Sequence, residues 1–278
     1  MNLLKKSFVT LGLVSLAGTA MAEVKQPLEV VNRPITSPAG QGVAGVAFGL
    51  SFFKTPQDES DTFKGLSLGA AYGVDDKIEI GLSYGTFLED GFDFKGPLSL
   101  SAAYNLSSGG PLHLAPNLSI GYDTLGEAIT PLTLGARVRY NLDDKMAIYS
   151  PGNQLSISVD APVGGGGSGF TYPVAVANPV WAIFGALADA SDENPIYLTL
   201  PVGFGYQVNS NLFVAAETNL AYIEIADADT KFIFDSYLPV GLRGIYAVNE
   251  MIDVGLTYDI DLDDTDFSTL GLFARAFF

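Results

Sequence analysis

The sequence predicts an all-β protein, specifically a transmembrane antiparallel up-and-down β-barrel of about 12 strands. Three observations carry this prediction. Apolar residues recur at every second position along most of the chain. The composition is 48% apolar and only 16% charged, yet no run beyond the N-terminus reaches the roughly 18 apolar residues of a membrane helix. Most of the alternating segments also end on a tyrosine or phenylalanine.

The chain begins with a segment typical of secretion. Residues 1–22 contain Lys5 and Lys6, then an apolar stretch, then Ala20-Met21-Ala22, a small-x-small pattern typical of signal-peptide cleavage. We expect residues 1–22 to be removed. The absence of cysteine is compatible with an oxidising periplasm.

Residues 23–41 contain three prolines and show no alternation. Two interpretations stay open for them. The favoured one is a periplasmic lead-in to the barrel, and the other is a segment folded into the lumen.

A period of two begins at residue 42, so the barrel is predicted over 42–278. In the first strand Val46, Phe48 and Leu50 share one face, while small residues occupy the other. The same alternation predicts strands over 44–52, 66–72, 78–84, 98–104, 112–122, 132–140, 155–159, 196–206, 212–222, 238–246, 252–260 and 270–278. The seventh is the weakest, because Pro151-Gly152 interrupts the pattern, and we expect it to be bulged or misplaced.

Connections between the predicted strands alternate in length. Short links fall at 74–76, 106–111, 141–144, 208–210 and 248–250, and long ones at 55–62, 88–95, 123–130, 160–194, 223–235 and 261–268. Membrane barrels have short periplasmic turns and longer external loops. Both ends of the barrel are therefore predicted on the periplasmic side.

The aromatic strand ends predict girdles where hydrocarbon meets water, because their rings are apolar and a tyrosine hydroxyl needs a wet partner. They are Tyr72, Tyr84, Tyr104, Tyr122, Tyr140, Tyr206, Tyr222, Tyr246, Tyr258 and the terminal Phe278. With these girdles and the alternating ending 270–278, the chain resembles bacterial outer-membrane β-barrel proteins of the porin-like kind. The resemblance implies a location in the outer membrane, contact with its lipid and lipopolysaccharide, and insertion by the barrel-assembly machinery.

The faces opposite the apolar ones carry the charges of the strands. Those expected to face inward are Glu79, Arg137, Arg139, Glu217, Asn219, Arg243, Asp253, Asp259 and Arg275. The four arginines come late in strands that descend to the periplasm, so we hypothesise a constriction there, with a positive patch partly neutralised by Asp253 and Glu79. The alternative is a set of bracing ion pairs without a role in permeation.

The long link 160–194 is a candidate plug. A tract of four glycines at 164–167 predicts a hinge, and Asn178-Pro179 predicts the start of a short apolar helix. Its apolar residues are Val180, Trp181, Ile183, Phe184 and Leu187. We expect this helix to enter the mouth of the barrel, or else to pack on the outer rim or on a partner chain.

Enzymatic activity is not expected. Residues 65–69 match G-x-S-x-G, but the match lies inside an alternating strand instead of a strand-to-helix elbow. His113, the single histidine, is predicted at the periplasmic end, far from the external rim. The acidic run from Asp259 to Asp266 lacks the spacing of a calcium loop and favours a solvated loop or loose bridging by divalent ions. No cofactor or defined metal site is predicted, and a net charge of −17 makes nucleic acid an unfavourable partner.

Together these features favour an outer-membrane channel for passive diffusion of small hydrophilic solutes. The alternative is a closed structural or surface-interaction barrel with no transport role.

Overall fold

The computed structural model describes residues 26–54, 60–88, 96–107, 109–123, 128–152, 155–157, 196–224, 230–232, 238–263, 265 and 267–278. A 3-10 turn at Val30–Asn32 precedes the strands. The strands are β1 Gly42–Lys54, β2 Ser60–Gly73, β3 Ile78–Phe87, β4 Pro97–Tyr104, β5 Leu112–Asp123, β6 Ala128–Asn141, β7 Met146–Ser150, β8 Leu155–Ile157, β9 Ile196–Gln207, β10 Leu212–Glu224, β11 Thr230–Phe232, β12 Pro239–Asn249, β13 Ile252–Asp261 and β14 Phe267–Phe277.

These strands form one closed antiparallel barrel. Apart from the pairs β7/β8 and β11/β12, consecutive strands pair with each other, and β14 pairs with β1 from Val43–Phe277 to Phe53–Phe267. β7 and β8 share one place between β6 and β9. β11 and β12 likewise both pair with β10, at different heights. The barrel thus has the predicted twelve positions, and the fold class predicted from the sequence is confirmed.

The two faces of each strand differ as the alternation predicts. Outward side chains are apolar and exposed, reaching 57% for Leu100 and 55% for Leu272. The inward ones are small, polar or charged, and most are buried. This is the arrangement of a membrane barrel, because lipid takes the place of water around the apolar face. No helix in the described ranges is long and apolar enough to cross a membrane.

The seventh strand begins earlier than predicted. It starts at Met146, and the predicted start at Leu155 is wrong. Ile148 faces outward, while Ala147 and Tyr149 face inward and are buried. Because inward residues here are themselves apolar, the sequence shows no contrast between the two faces.

Pro151-Gly152 does mark a bulge, as expected. Val138 pairs with Ser150 and Leu134 with Leu155, so five positions of this strand face four of β6. Gly152 has φ +102, a conformation that glycine adopts without strain.

All five short turns use one device, a side-chain oxygen near the start of the turn that accepts a later backbone N–H; after β4, Asn105 Oδ1 accepts the N–H of Ser107 at 2.9 Å. The Oδ1 atoms of Asp75, Asp143 and Asn209 each accept hydrogen bonds from the backbone N–H groups two and three residues later, at 2.7 to 2.9 Å. Asn249 accepts one from the N–H of Met251 at 2.8 Å. Such side chains imitate a backbone turn, which explains why these links can be so short. We call this end of the barrel the short-turn end, the periplasmic end in barrels of this kind.

Two predicted units lie outside the described residues. They are the signal peptide, 1–22, and the plug helix of the link 160–194 with Val180, Trp181, Ile183, Phe184 and Leu187.

Candidate functional site: the barrel interior

Residues 26–41, hereafter the N-terminal segment, lie inside the barrel at its short-turn end. Val30 and Val31 are fully buried and pack in one cluster with Phe213, Ile245 and Phe273, which face inward from β10, β12 and β14. Burial of two valines contributes about 3 to 5 kcal/mol. Val30 and Val31 therefore anchor the segment on an apolar patch of the inner wall, formed by Phe213, Ile245 and Phe273, which we call its seat.

A carboxylate of the wall holds the N-terminal segment from one side. Both terminal nitrogens of Arg33 contact the carboxylate of Asp253, one of them at 3.0 Å. Asp253 Oδ2, which accepts from Arg33 Nη1, also accepts the Nε–H of Arg275 at 2.7 Å. Both guanidinium groups lie over the ring of Phe277, 5.1 and 5.3 Å from its centroid. Asp253 thus joins the segment to the wall.

A second carboxylate does the same on the other side. Glu79 accepts the Ser37 backbone N–H at 2.6 Å and a terminal N–H of Arg137 at 2.7 Å. Arg137 and Arg139 also donate to carbonyl groups of the segment, those of Ile35 at 3.1 Å and Arg33 at 2.6 Å. We call the group of Arg33, Glu79, Arg137, Arg139, Asp253 and Arg275 the lower cluster.

Arg243 belongs to a different group. Its Nη2 lies 2.5 Å from Asp259 Oδ1 and 3.1 Å from Glu217 Oε2, and the Tyr149 hydroxyl donates to Glu217 at 2.6 Å. We call these four residues the upper cluster. Arg243 pairs in register with Thr257, four positions beyond Asp253 on β13, so the two clusters are about 13 Å apart along the strand.

The structure therefore places every predicted lumen residue inward but divides them. Glu79, Arg137, Arg139, Asp253 and Arg275 share the lower cluster, whereas Glu217 and Arg243 share the upper one with Asp259. Asn219 is also inward and accepts the Leu200 N–H at 2.8 Å. The arginines do not gather at one height, because Arg243 stands about 13 Å, or four residues along the strand, farther from the short turns than Asp253 does.

The inward side chains differ in size around the barrel. The inward faces of β1 to β4 carry mainly glycine, alanine and serine. The rest of the wall carries Tyr149 on β7, Phe213 on β10 and Phe273 on β14, whose rings lie against Gly203, Gly205 and Gly255 of neighbouring strands. The rings thus follow the wall instead of crossing the lumen. The inward side chains are therefore smallest along β1 to β4.

The sequence missed three residues of the site, Arg33, Gln207 and Tyr149. Gln207 is fully buried and accepts the Val31 N–H at 3.3 Å. Arg33 lies in a segment without periodicity, so the sequence pattern could not predict its pairing with Asp253. The adjacent Val30-Val31 pair is the one local signal that the segment is buried rather than solvated.

The aromatic positions divide by height. Tyr72, Tyr104, Tyr140, Tyr206 and Tyr246 stand at the short-turn end with 39 to 50% of their surface exposed. Tyr122 is similarly exposed toward the loop end, whereas Tyr84, Tyr258 and Phe278 are half-buried. The side chain of Tyr222 is outside the described set.

The remaining chemical motifs lie within strands or at their ends. Ser67 of the G-x-S-x-G match lies within β2. Asp259 and Asp261 are buried, and Asp261 accepts backbone N–H groups of Leu238 and Asp263. Among the residues described, no three His, Cys, Asp or Glu side chains are grouped to hold a metal ion.

Known structures share this architecture. The NanC porin aligns with a TM-score of 0.54 and 10% identity, over 83% of this chain and 98% of that one. The KdgM porin aligns with a TM-score of 0.51 and 6% identity, over 84% and 98%. No protein-family profile and no curated protein sequence matches the chain. At such identities the likeness shows the fold, and that fold is the transmembrane β-barrel of bacterial outer-membrane porins.

Proposed function

We propose that this protein is a porin-like channel of the bacterial outer membrane, through which small hydrophilic solutes diffuse passively. The observation that carries the proposal is the contrast between an apolar outside and an interior lined by charged, hydroxyl and glycine residues. A barrel of 12 strands is also wider than one of eight, whose interior side chains just fill. A wall of small residues adds to that width.

The charges inside the barrel suggest how such a channel selects its solutes. The upper cluster holds one arginine and two carboxylates, so its formal charge is negative. The lower cluster holds four arginines and two carboxylates, so its formal charge is positive. A solute crossing the barrel meets both signs in succession, which favours small polar or zwitterionic solutes over multiply charged ones.

Planar-bilayer recording of the purified, refolded protein tests this function. We expect discrete conductance steps that scale with salt concentration. A heat-denatured sample is the control. The absence of steps over many insertions of folded barrel would contradict a channel.

One observation favours a second candidate, a closed structural or surface-interaction barrel. The N-terminal segment and the bulky wall bury nearly all inward side chains at the short-turn end. In that case external loops would contact lipopolysaccharide or a partner protein. The same recordings separate the two candidates.

The organisation proposed for the chain follows from this reading. Residues 1–22 direct secretion, residues 23–41 precede the barrel wall and enter its lumen, and residues 42–278 form the barrel. Membrane lipid contacts the apolar belt, and the barrel-assembly machinery inserts the chain. The link 160–194 stays a candidate constriction at the outer mouth.

A further inference from the structure

We propose that the N-terminal segment is a displaceable plug, which closes the short-turn end of the barrel at rest and leaves its seat when the channel opens. This inference rests on the proposed channel function and names a regulatory element for it. Three features of the segment support it: how it is attached, what its removal uncovers, and how closely it fits the wall.

The N-terminal segment is held mainly by side chains and not by a sheet ladder. Its single β-bridge joins Ala39 to Gly73, beside hydrogen bonds of 2.9 Å that link Gly73 with Gly40 and Gln41. Farther from β1, its backbone bonds to the wall are isolated ones, such as Gln26 N–H to the Glu250 carbonyl at 3.2 Å. The segment can therefore leave without breaking any pairing that closes the barrel.

The attachment has a natural pivot. Gly40 has φ +73, and a Cβ built there meets no atom within 4 Å. It lies two residues before β1, at the point where the segment turns into the wall. Rotation at this position moves residues 26–38 as a unit and leaves β1 in register with β2 and β14.

Departure of the N-terminal segment changes the lining of the lumen. Arg33 would leave Asp253, which keeps its bond to Arg275. Glu79 would lose the Ser37 N–H but keep Arg137. Each wall carboxylate thus retains one arginine, so opening leaves neither acid without a cation. This is the property expected of a wall that must be stable in both states.

The closed state depends on a close approach at Gly73. A Cβ at this residue would lie 2.0 Å from the Pro38 carbonyl oxygen and 2.3 Å from that of Ser37. No side chain fits there while the segment is seated. Gly73→Ala should therefore displace the segment although the substitution itself changes no charged residue. Gly65→Ala is the matched control, because it lies on the same strand and its Cβ would come no closer than 3.9 Å to any atom.

Conductance is the first readout. Gly73→Ala and a deletion of residues 26–38 should both raise single-channel conductance or open probability several-fold, while Gly65→Ala stays at the wild-type value. Folding of each variant is checked by the heat-dependent shift of barrels on electrophoresis. A folded deletion variant that conducts like the intact chain overturns the proposal.

Thiol labelling is the second readout and does not depend on conduction. The chain has no cysteine, so Val31→Cys reports the buried side of the segment and Asp76→Cys, in an exposed turn, reports full access. A membrane-impermeant maleimide should label Val31→Cys many-fold more slowly than Asp76→Cys, and Gly73→Ala should remove most of that difference. Equal rates in the otherwise intact chain overturn the seated segment. Slow labelling that Gly73→Ala relieves, without conductance in any variant, supports the displaceable segment and overturns the channel function.

Discussion

Arg33 and Asp253, 220 positions apart in the chain, form a buried ion pair inside the barrel. Asp253 is 0% exposed, and it also accepts the Nε–H of Arg275 from the adjacent strand. One carboxylate therefore pairs with two guanidinium groups, one from the N-terminal segment and one from the wall, and the three groups together keep a positive formal charge. Arg275 stays beside Asp253 even when Arg33 is replaced, because Arg275 belongs to the adjacent strand of the wall.

Replacing the shared carboxylate should therefore destabilise the barrel more than replacing one of its two arginines. Asp253→Asn leaves two buried guanidinium groups without a carboxylate and should cost about 3 to 5 kcal/mol of stability. Arg33→Gln leaves Asp253 paired with Arg275 and should cost about 1 to 3 kcal/mol. Urea unfolding in detergent micelles measures both, with the exposed Lys77→Gln as control. Equal midpoints for the two variants would contradict the shared carboxylate.

The fit of Phe273 against the wall yields a second prediction. A Cβ at Gly255 would lie 2.2 Å from Phe273 Cζ and 2.6 Å from the Gly244 carbonyl oxygen. Gly255→Ala should therefore displace the ring and destabilise the barrel by about 1 to 3 kcal/mol. Gly244→Ala, whose Cβ meets nothing within 4 Å, is the matched control. If both variants melt at the wild-type temperature, the ring does not rest on Gly255.

The outside of the barrel was predictable from the sequence, since lipid requires apolar residues at every second position and the contrast with Gly and Ser shows at once. Leu98, Leu100 and Ala102 alternate with Ser99, Ser101 and Ala103, and β4 falls on these residues. Where the inward residues are apolar too, as Ala147 and Tyr149 are, the two faces do not differ, and the start of β7 could not be located from the sequence. Side-chain period sets strand position only where the two faces differ in chemistry.

The interior was predictable in direction but not in partnership. Alternation fixed which side Arg243 and Arg275 face, because facing follows from parity alone. Their partners depend on register between strands and on a segment with no periodicity. Asp253 lies across from Arg275 in register, but its pairing with Arg33 bridges 220 positions that no local pattern constrains.

The short turns provide a third prediction. Asp143 accepts the N–H groups of Lys145 and Met146 at 2.7 and 2.8 Å, so Asp143→Ala should leave them without this acceptor and cost about 1 kcal/mol. Asp143→Asn keeps the acceptor oxygen and should behave as wild type. The urea midpoint measures the effect, and Asp144→Ala, at the exposed neighbour, controls for charge. A loss in Asp143→Asn as large as in Asp143→Ala would assign the effect to charge instead of turn geometry.

The upper cluster predicts how ion selectivity responds to substitution. Arg243 is the cation between Glu217 and Asp259, so Arg243→Gln leaves two carboxylates facing the lumen without it. Cations are then attracted and anions repelled, and the K⁺/Cl⁻ permeability ratio should rise about twofold or more. Glu217→Gln removes the more exposed carboxylate, at 17% against 7% for Asp259, and should lower the ratio.

Reversal potentials across a KCl gradient measure both changes. Lys77→Gln, in an exposed short turn, removes one positive charge outside the lumen and serves as the matched control for Arg243→Gln. Opposite shifts from Arg243→Gln and Glu217→Gln require ions to pass close to the upper cluster, because exposed charges farther than about 10 Å from the path are screened at 0.1 M salt. Shifts no larger than that of Lys77→Gln would place the ion path away from β10 and β12, beside the wall of small residues on β1 to β4.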